Sequence, residues 1–169
     1  MRLLPFYIFS YSFLYSLLEI EIEGKYGWAE KLPTVKDVLG TLTLYHVYMN
    51  SIVILTLLYS ILLPHDSLTF VYYTIIWFMI EDTYWFIYNA NYTLKKYKKE
   101  DIWWHGSGTW VGGVPLFNIL GFIILLSIIG YKAYCGDTLL IYDSFILIGL
   151  CLLAMIMAPY YHTLYIKYH

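Results

Sequence analysis

Charge is scarce in this sequence: Asp, Glu, Lys and Arg make up 13% of its 169 residues, while hydrophobic residues make up 60%. An ordinary soluble domain carries about 25% charged and about 45–50% apolar residues, and a water-soluble fold of this length could not hide the excess. Cysteine is nearly absent too. Cys151 falls in an apolar segment and Cys135 in a short loop, which argues against a disulfide framework and leaves no Cys ligand pair for a metal. No internal repeat and no low-complexity tract occurs. The apolar runs at 119–129 and 145–157 are continuous, without the period-two alternation of barrel strands, so a transmembrane β-barrel is disfavoured. Met1–Ile20, with Arg2 as a charged start, is followed by Glu21-Ile22-Glu23-Gly24 instead of a small-residue cleavage site, and reads as a retained first helix.

What remains is an all-α integral membrane bundle in a single domain, residues 1–169. A spanning helix needs about 20 mainly apolar residues. Five segments meet that need, at about 3–20, 38–63, 67–92, 111–131 and 138–166. Gly24 stops the first, and Thr34-Val35-Lys36-Asp37 has the form of a capping box before the second. Asp66 or Ser67 caps the third, and Pro159 is expected to interrupt the last. Twenty Tyr and six Trp suit a chain that crosses the membrane interface many times. Of the ten basic residues, Arg2 and Lys132 fall on one side and the other eight on the opposite side, so the N-terminus is expected outside and the C-terminus inside. The cell membrane, in a prokaryote the cytoplasmic one, is the expected location. The Lys95–Lys99 run reads as a patch facing anionic lipid, not as a nucleic-acid site.

An ionisable residue inside a span costs at least about 2.5–3.5 kcal/mol on insertion scales, so each one needs a reason. Counted from the Pro64–Asp66 turn at about 1.5 Å per residue, Asn50 and Glu81 lie about 21–22 Å deep, and His46 and Trp85 about 27–28 Å. Glu19 lies about 24 Å along from Leu3. Glu81, Trp85 and Asn89 stand four apart, as do His46 and Asn50, and as do Glu19 and Glu23, so each set forms one stripe. Trp103-Trp104-His105 in the next inner loop and His162 near the inner end of the last helix converge from the same side. Asp143 is expected to be interfacial.

Glu81, His46, Asp82 and Asn50 are therefore the candidates for catalysis, with Trp85, Asn89, Trp104 and Asn118 for holding a substrate. Carboxylate and imidazole also suit a divalent metal (zinc, iron or manganese), with Glu19, Glu23, His46, Glu81, His105 and His162 as candidate ligands. The spacing names no metal, for there is no His-x-x-x-His and no Glu-x-x-His. Haem on His46 and His162 ranks below these, because their depths differ. Without a metal, Glu81 and His46 serve as an acid–base pair. Gly106-Ser107-Gly108 lacks the strand–turn–helix setting of a nucleophile elbow. The leading expectation is a membrane-embedded enzyme acting on a lipid or isoprenoid-like molecule near the cytoplasmic leaflet. An ion- or proton-handling module, or a non-catalytic subunit of a larger complex, stands beside it. The bilayer and a hydrophobic small molecule are the expected partners, with room for a homo-oligomer.

The run from Glu19 through Gly24, Gly27-Trp28-Ala29 and Leu32-Pro33-Thr34 resembles a signature of small, uncharacterised prokaryotic multi-pass membrane proteins. So do His46 with Asn50, Glu81-Asp82 with Trp85, and Trp103-Trp104-His105, over residues 19–115. The resemblance implies no activity, but it implies that this polar set belongs together. Ile80-Glu81-Asp82 before aromatics is also similar to the acidic pair of membrane carotenoid cyclases, which protonate a polyene, though the proline usual in that motif is missing.

Overall fold

The computed structural model describes residues 3–25, 44–62, 64–92, 96–100 and 109–169. Among these the chain is mostly helical. The helices are α1 (Leu4–Glu23), α2 (Leu44–Leu57) continued by a short π-helical segment (Leu58–Leu62), α3 (Ser67–Tyr88), α4 (Leu116–Tyr134) and α5 (Leu139–Tyr168). An antiparallel hairpin, β1 (Trp110–Val111) with β2 (Val114–Pro115), precedes α4. The capping box at 34–37 and the first residues expected of the second span lie outside the described residues.

Several boundaries follow from local chemistry. Gly24 ends α1 as expected, and Asp66 caps α3, its Oδ1 accepting from the Leu68 and Thr69 amides at 3.0 and 3.2 Å. Three expectations need correction. The third helix ends at Tyr88, not near 92, because the Asn89 side chain turns the backbone by accepting from the Asn91 and Tyr92 amides, each at 3.1 Å. The fourth begins at Leu116, not 111, because Gly112 and Gly113 take φ of 59° and 83° and make a hairpin turn. Pro159 does not interrupt the last helix, which runs unbroken through it. One proline removes one amide donor, and the remaining helical bonds and packing hold the turn together.

Helix α3 is the centre of the bundle and packs against each of the other four helices. Its buried face is aromatic: Tyr72, Tyr73, Trp77, Tyr84 and Phe86 are almost wholly enclosed. Phe9 and Phe13 of α1 meet Tyr84 edge-on at 6.0 and 5.6 Å, and such pairs contribute about 0.5–1.5 kcal/mol beyond burial. Against α5 the tyrosines act through their hydroxyls. Tyr72 bonds Ser144, Tyr84 donates to the Cys151 carbonyl and Tyr88 to the Ala154 carbonyl, each at 2.6 Å. The partners rise together along both helices, so α3 and α5 run in the same direction. Gly121 brings α4 close: a Cβ there would sit 3.3 Å from Ile75 Cγ2 and 3.7 Å from Met79 Sδ.

Two helices, α4 and α5, are long and apolar enough to cross a membrane. α1 and α3 are of similar length to α4, but Tyr, Ser, Trp and acidic residues dilute their apolar character and face one another inside. The outer surface is apolar instead. Phe145 and Ile156 are 68% and 65% exposed, and Phe122, Ile123, Leu152 and Leu153 are exposed beside them. At one end of the bundle Lys132 Nζ meets Asp66 at 2.7 Å and Asp137 at 3.2 Å, joining the α2–α3 turn to the α4–α5 turn. At another, Glu21 meets His169 and Glu23 meets His46, both at 3.1 Å, joining the end of α1 to the C-terminus and to the start of α2.

Candidate functional site: a carboxyl cluster beside an apolar groove

Three helices bring the site together. Glu19 comes from the last turns of α1 and Glu81 from the middle of α3, and their carboxyls are within hydrogen-bond reach of each other. Tyr15, one turn before Glu19, reaches its carboxyl from the other side. One turn beyond Glu19, the Glu23 carboxylate bonds His46 Nε2 across to α2. The four-residue steps of α1 (15, 19, 23) thus line one face with polar groups, which is why the cluster forms where α1 meets α3 and α2. Glu81 is buried, while Glu23 and the His46 ring are each about a quarter exposed.

Asp82 follows Glu81 by about 100° around α3, and its carboxyl still interacts with those of Glu81 and Glu19. It is partly buried and interacts with Tyr97, whose hydroxyl accepts from Asn118 Nδ2 at 3.2 Å. Tyr97 and Asn118 are two walls of a groove of about 440 Å³ between α3 and α4. Met79, Thr83 and Phe86 line its α3 side, and Ile119 and Phe122 its α4 side. The groove is therefore mostly apolar, with Thr83, Tyr97 and Asn118 supplying its polar contacts. The Glu19–Glu81–Asp82 cluster and this groove thus lie side by side along α3, Asp82 being followed by Thr83 of the groove wall.

Other expected site residues lie elsewhere or do other work. Trp85 is buried on the same stripe as Glu81, packed on Tyr92 and Phe86. Asn89 is buried too, and its carbonyl oxygen is used in the turn that ends α3. Asn50 is half-buried one turn along α2 from His46 and makes no hydrogen bond to the cluster among the described residues. The two imidazoles weighed for haem face different partners, His162 Nε2 lying 2.8 Å from the Ile87 carbonyl oxygen and His46 Nε2 3.1 Å from Glu23. Trp104 and His105 lie outside the described residues. Among the described residues no three His, Cys, Asp or Glu side chains converge as a metal site.

Asp143 is the residue that sequence reasoning missed. It is fully buried within the bundle and accepts a hydrogen bond from the Tyr73 hydroxyl. The available signal was the tyrosine pair 72–73 at the matching depth on α3, but which face of α5 turns inward is settled only by packing. Comparison with protein-family models, curated proteins and solved structures found no match for this chain.

Proposed function

We propose that the chain is a membrane protein of five spanning helices, with its N-terminus outside and its C-terminus inside the cell. We further propose that it is an enzyme performing acid–base chemistry on a lipid or isoprenoid-like molecule held in the α3–α4 groove. The membrane reading is supported by the outward Phe, Ile and Leu side chains of α4 and α5, which in water would form an exposed apolar patch far beyond that of ordinary monomers. It is supported as well by the two sets of ion pairs, which tie alternate turns of the chain to opposite ends, as an up-and-down bundle requires. The basic residues near the Glu21–His169 end make that end the inner one.

One observation carries the enzymatic reading: the Glu19–Glu81–Asp82 carboxyl cluster lies beside an apolar groove lined by Thr83, the next residue of α3. Asp82, next to Thr83 of the groove wall and near Tyr97, protonates the bound molecule, with Asn118 and Tyr97 orienting its polar end. Glu81 and Glu19 keep a proton at Asp82's side, and Glu23 with His46 exchanges it with the inner solution. Proton transfer by positioned groups of this kind contributes typically about 10²–10⁴-fold to a rate. Glu19, Glu23, His46 and Glu81 do not converge as a three-ligand metal site, so the cluster is read as acid–base machinery, and elemental analysis of the purified protein checks that reading.

The test is mass spectrometry of the detergent-purified protein, followed by incubation with a membrane lipid extract. A retained apolar molecule is expected in the wild type and not in Thr83→Trp, which fills the groove. A product formed by the wild type and not by Glu81→Gln is expected from the extract. Retention unchanged in Thr83→Trp would misplace the ligand, and the same products from Glu81→Gln would remove the chemistry from this site.

A further inference from the structure

Asp143 lies one turn inside α5, close to the Asp66–Lys132 end, and a buried carboxyl at membrane depth demands a partner. Tyr73 supplies it, and Tyr73 belongs to a longer series. On α3, Trp77 and Glu81 follow Tyr73 at four-residue steps, and Thr74 stands three before Trp77, so these residues share one side of the helix. On α1, Tyr11, Tyr15, Glu19 and Glu23 follow the same step. The two stripes meet: the Trp77 ring lies 5.3 Å from Tyr11 and 5.0 Å from Tyr15, and Tyr15 stands one turn from Glu19, whose carboxyl interacts with Glu81. One helical turn, about 6 Å of rise, separates Tyr73 from Trp77. Within that turn Trp77 Nε1 and Thr74 Oγ1 are buried and have no hydrogen-bond partner among the described residues. Two buried polar atoms so placed are the kind of groups that ordered water bridges.

We propose that these groups form a proton-conducting file through the bundle. It runs from Asp143 and Tyr73, through water held by Trp77 and Thr74, to Tyr15, Glu19 and Glu81. Only protons move: each hydroxyl, water or carboxyl along the file releases one proton as it takes up another, and no redox partner takes part. Trp77, a donor only, holds water and does not relay. The titratable groups facing the file are Asp143 and Tyr72 at one end and Tyr11 and Tyr15 in the middle. At the other end are Glu23, Asp82 and His46 around the Glu19–Glu81 pair. The file thus joins the carboxyl cluster to the opposite membrane face. It rests on the chain's spanning the bilayer and not on what occupies the groove.

The purified full-length protein, reconstituted in liposomes with a trapped pH-sensitive dye and a potassium–valinomycin potential, tests the file. Proton entry faster than in protein-free vesicles is expected, with Asp143→Asn and Glu81→Gln slowing it by about tenfold or more. Tyr73→Phe removes a single hydroxyl and must slow entry as well, while keeping the wild-type far-ultraviolet circular dichroism. Wild-type vesicles no faster than empty ones, or Tyr73→Phe and Glu81→Gln as fast as wild type, would overturn the proposal. Protein that fails to float with the vesicles contradicts the membrane reading itself, whereas floating protein without proton entry contradicts the file alone.

Discussion

Replacing Asp66 separates two tasks that one carboxylate performs at the start of α3. Its Oδ1 accepts from the Leu68 and Thr69 amides, and its Oδ2 meets Lys132 Nζ at 2.7 Å and the Thr69 hydroxyl at 2.8 Å. Asn caps a helix about as well as Asp, so Asp66→Asn removes the charge and keeps the cap, whereas Asp66→Ala removes both. The Asp66 side chain is 50% exposed, which places the ion pair in the range of solvent-screened pairs, about 0.2–1 kcal/mol. Loss of the cap adds about 1 kcal/mol. The expected cost is therefore about 0.5 kcal/mol for Asp66→Asn and about 1.5 kcal/mol for Asp66→Ala. The pH dependence has a definite sign. Partial burial pushes the Asp66 carboxyl up, but the bonds from Lys132 and Thr69 outweigh it and hold the group well below the usual carboxylate range. A carboxyl held low in the folded state stabilises above its unfolded pKa of about 3.9, and that stability is lost as pH falls further. Thermal unfolding in one detergent, followed at pH 7 and from pH 4 down to 2, should show wild type and Asp66→Asn converging as acid is added. Equal losses for the two variants at pH 7, or a gap between wild type and Asp66→Asn as large at pH 2 as at pH 7, would refute the division.

Gly121→Leu puts a branched side chain where a Cβ alone already meets Ile75 at 3.3 Å, so α4 must move off α3. A loss of about 1–3 kcal/mol in unfolding free energy is expected from overpacking, together with loss of any molecule retained in the groove. Tyr84→Phe and Tyr88→Phe each remove one hydroxyl bond to an α5 carbonyl, and each should cost about 0.5–1.5 kcal/mol in the same unfolding assay. The two rings lie 5.8 Å apart, so the double variant should depart from the sum of the singles by a coupling of about 0.5 kcal/mol or more; strict additivity would show that the two bonds act independently.

How far the sequence carried depends on what each residue answers to. The Asp66 cap and the Gly24 stop were legible because both are set by the backbone within a few residues. The Glu81–Trp85–Asn89 stripe was legible from its period, and all three residues are buried. Asn89 nevertheless caps a turn, since an Asn side chain near a helix end competes for backbone amides, and periodicity alone does not reveal that. The hairpin at Gly112-Gly113 was hidden because apolar residues on both sides continue the look of a span. The tyrosine bonds to Cys151 and Ala154 could not be read at all, because their acceptors are backbone carbonyls that carry no side-chain signature. Asp143 failed for a related reason. Its depth was clear, but its partner lies 70 residues away on a helix whose facing side is chosen by packing.

The most direct test of a bundle that crosses the bilayer with its carboxyl cluster inward uses Cys135. It is exposed in the turn between α4 and α5, beside the Asp66–Lys132–Asp137 ion pairs, while Cys151 lies within α5. With Cys151 replaced by alanine, a membrane-impermeant maleimide added to intact cells should label Cys135 fully, and a cysteine placed at Lys167 should label only after the membrane is opened. Cys135 shielded until the membrane is opened, or both positions labelling alike from outside, would contradict the topology and with it the inward placement of Glu19, Glu81 and His46.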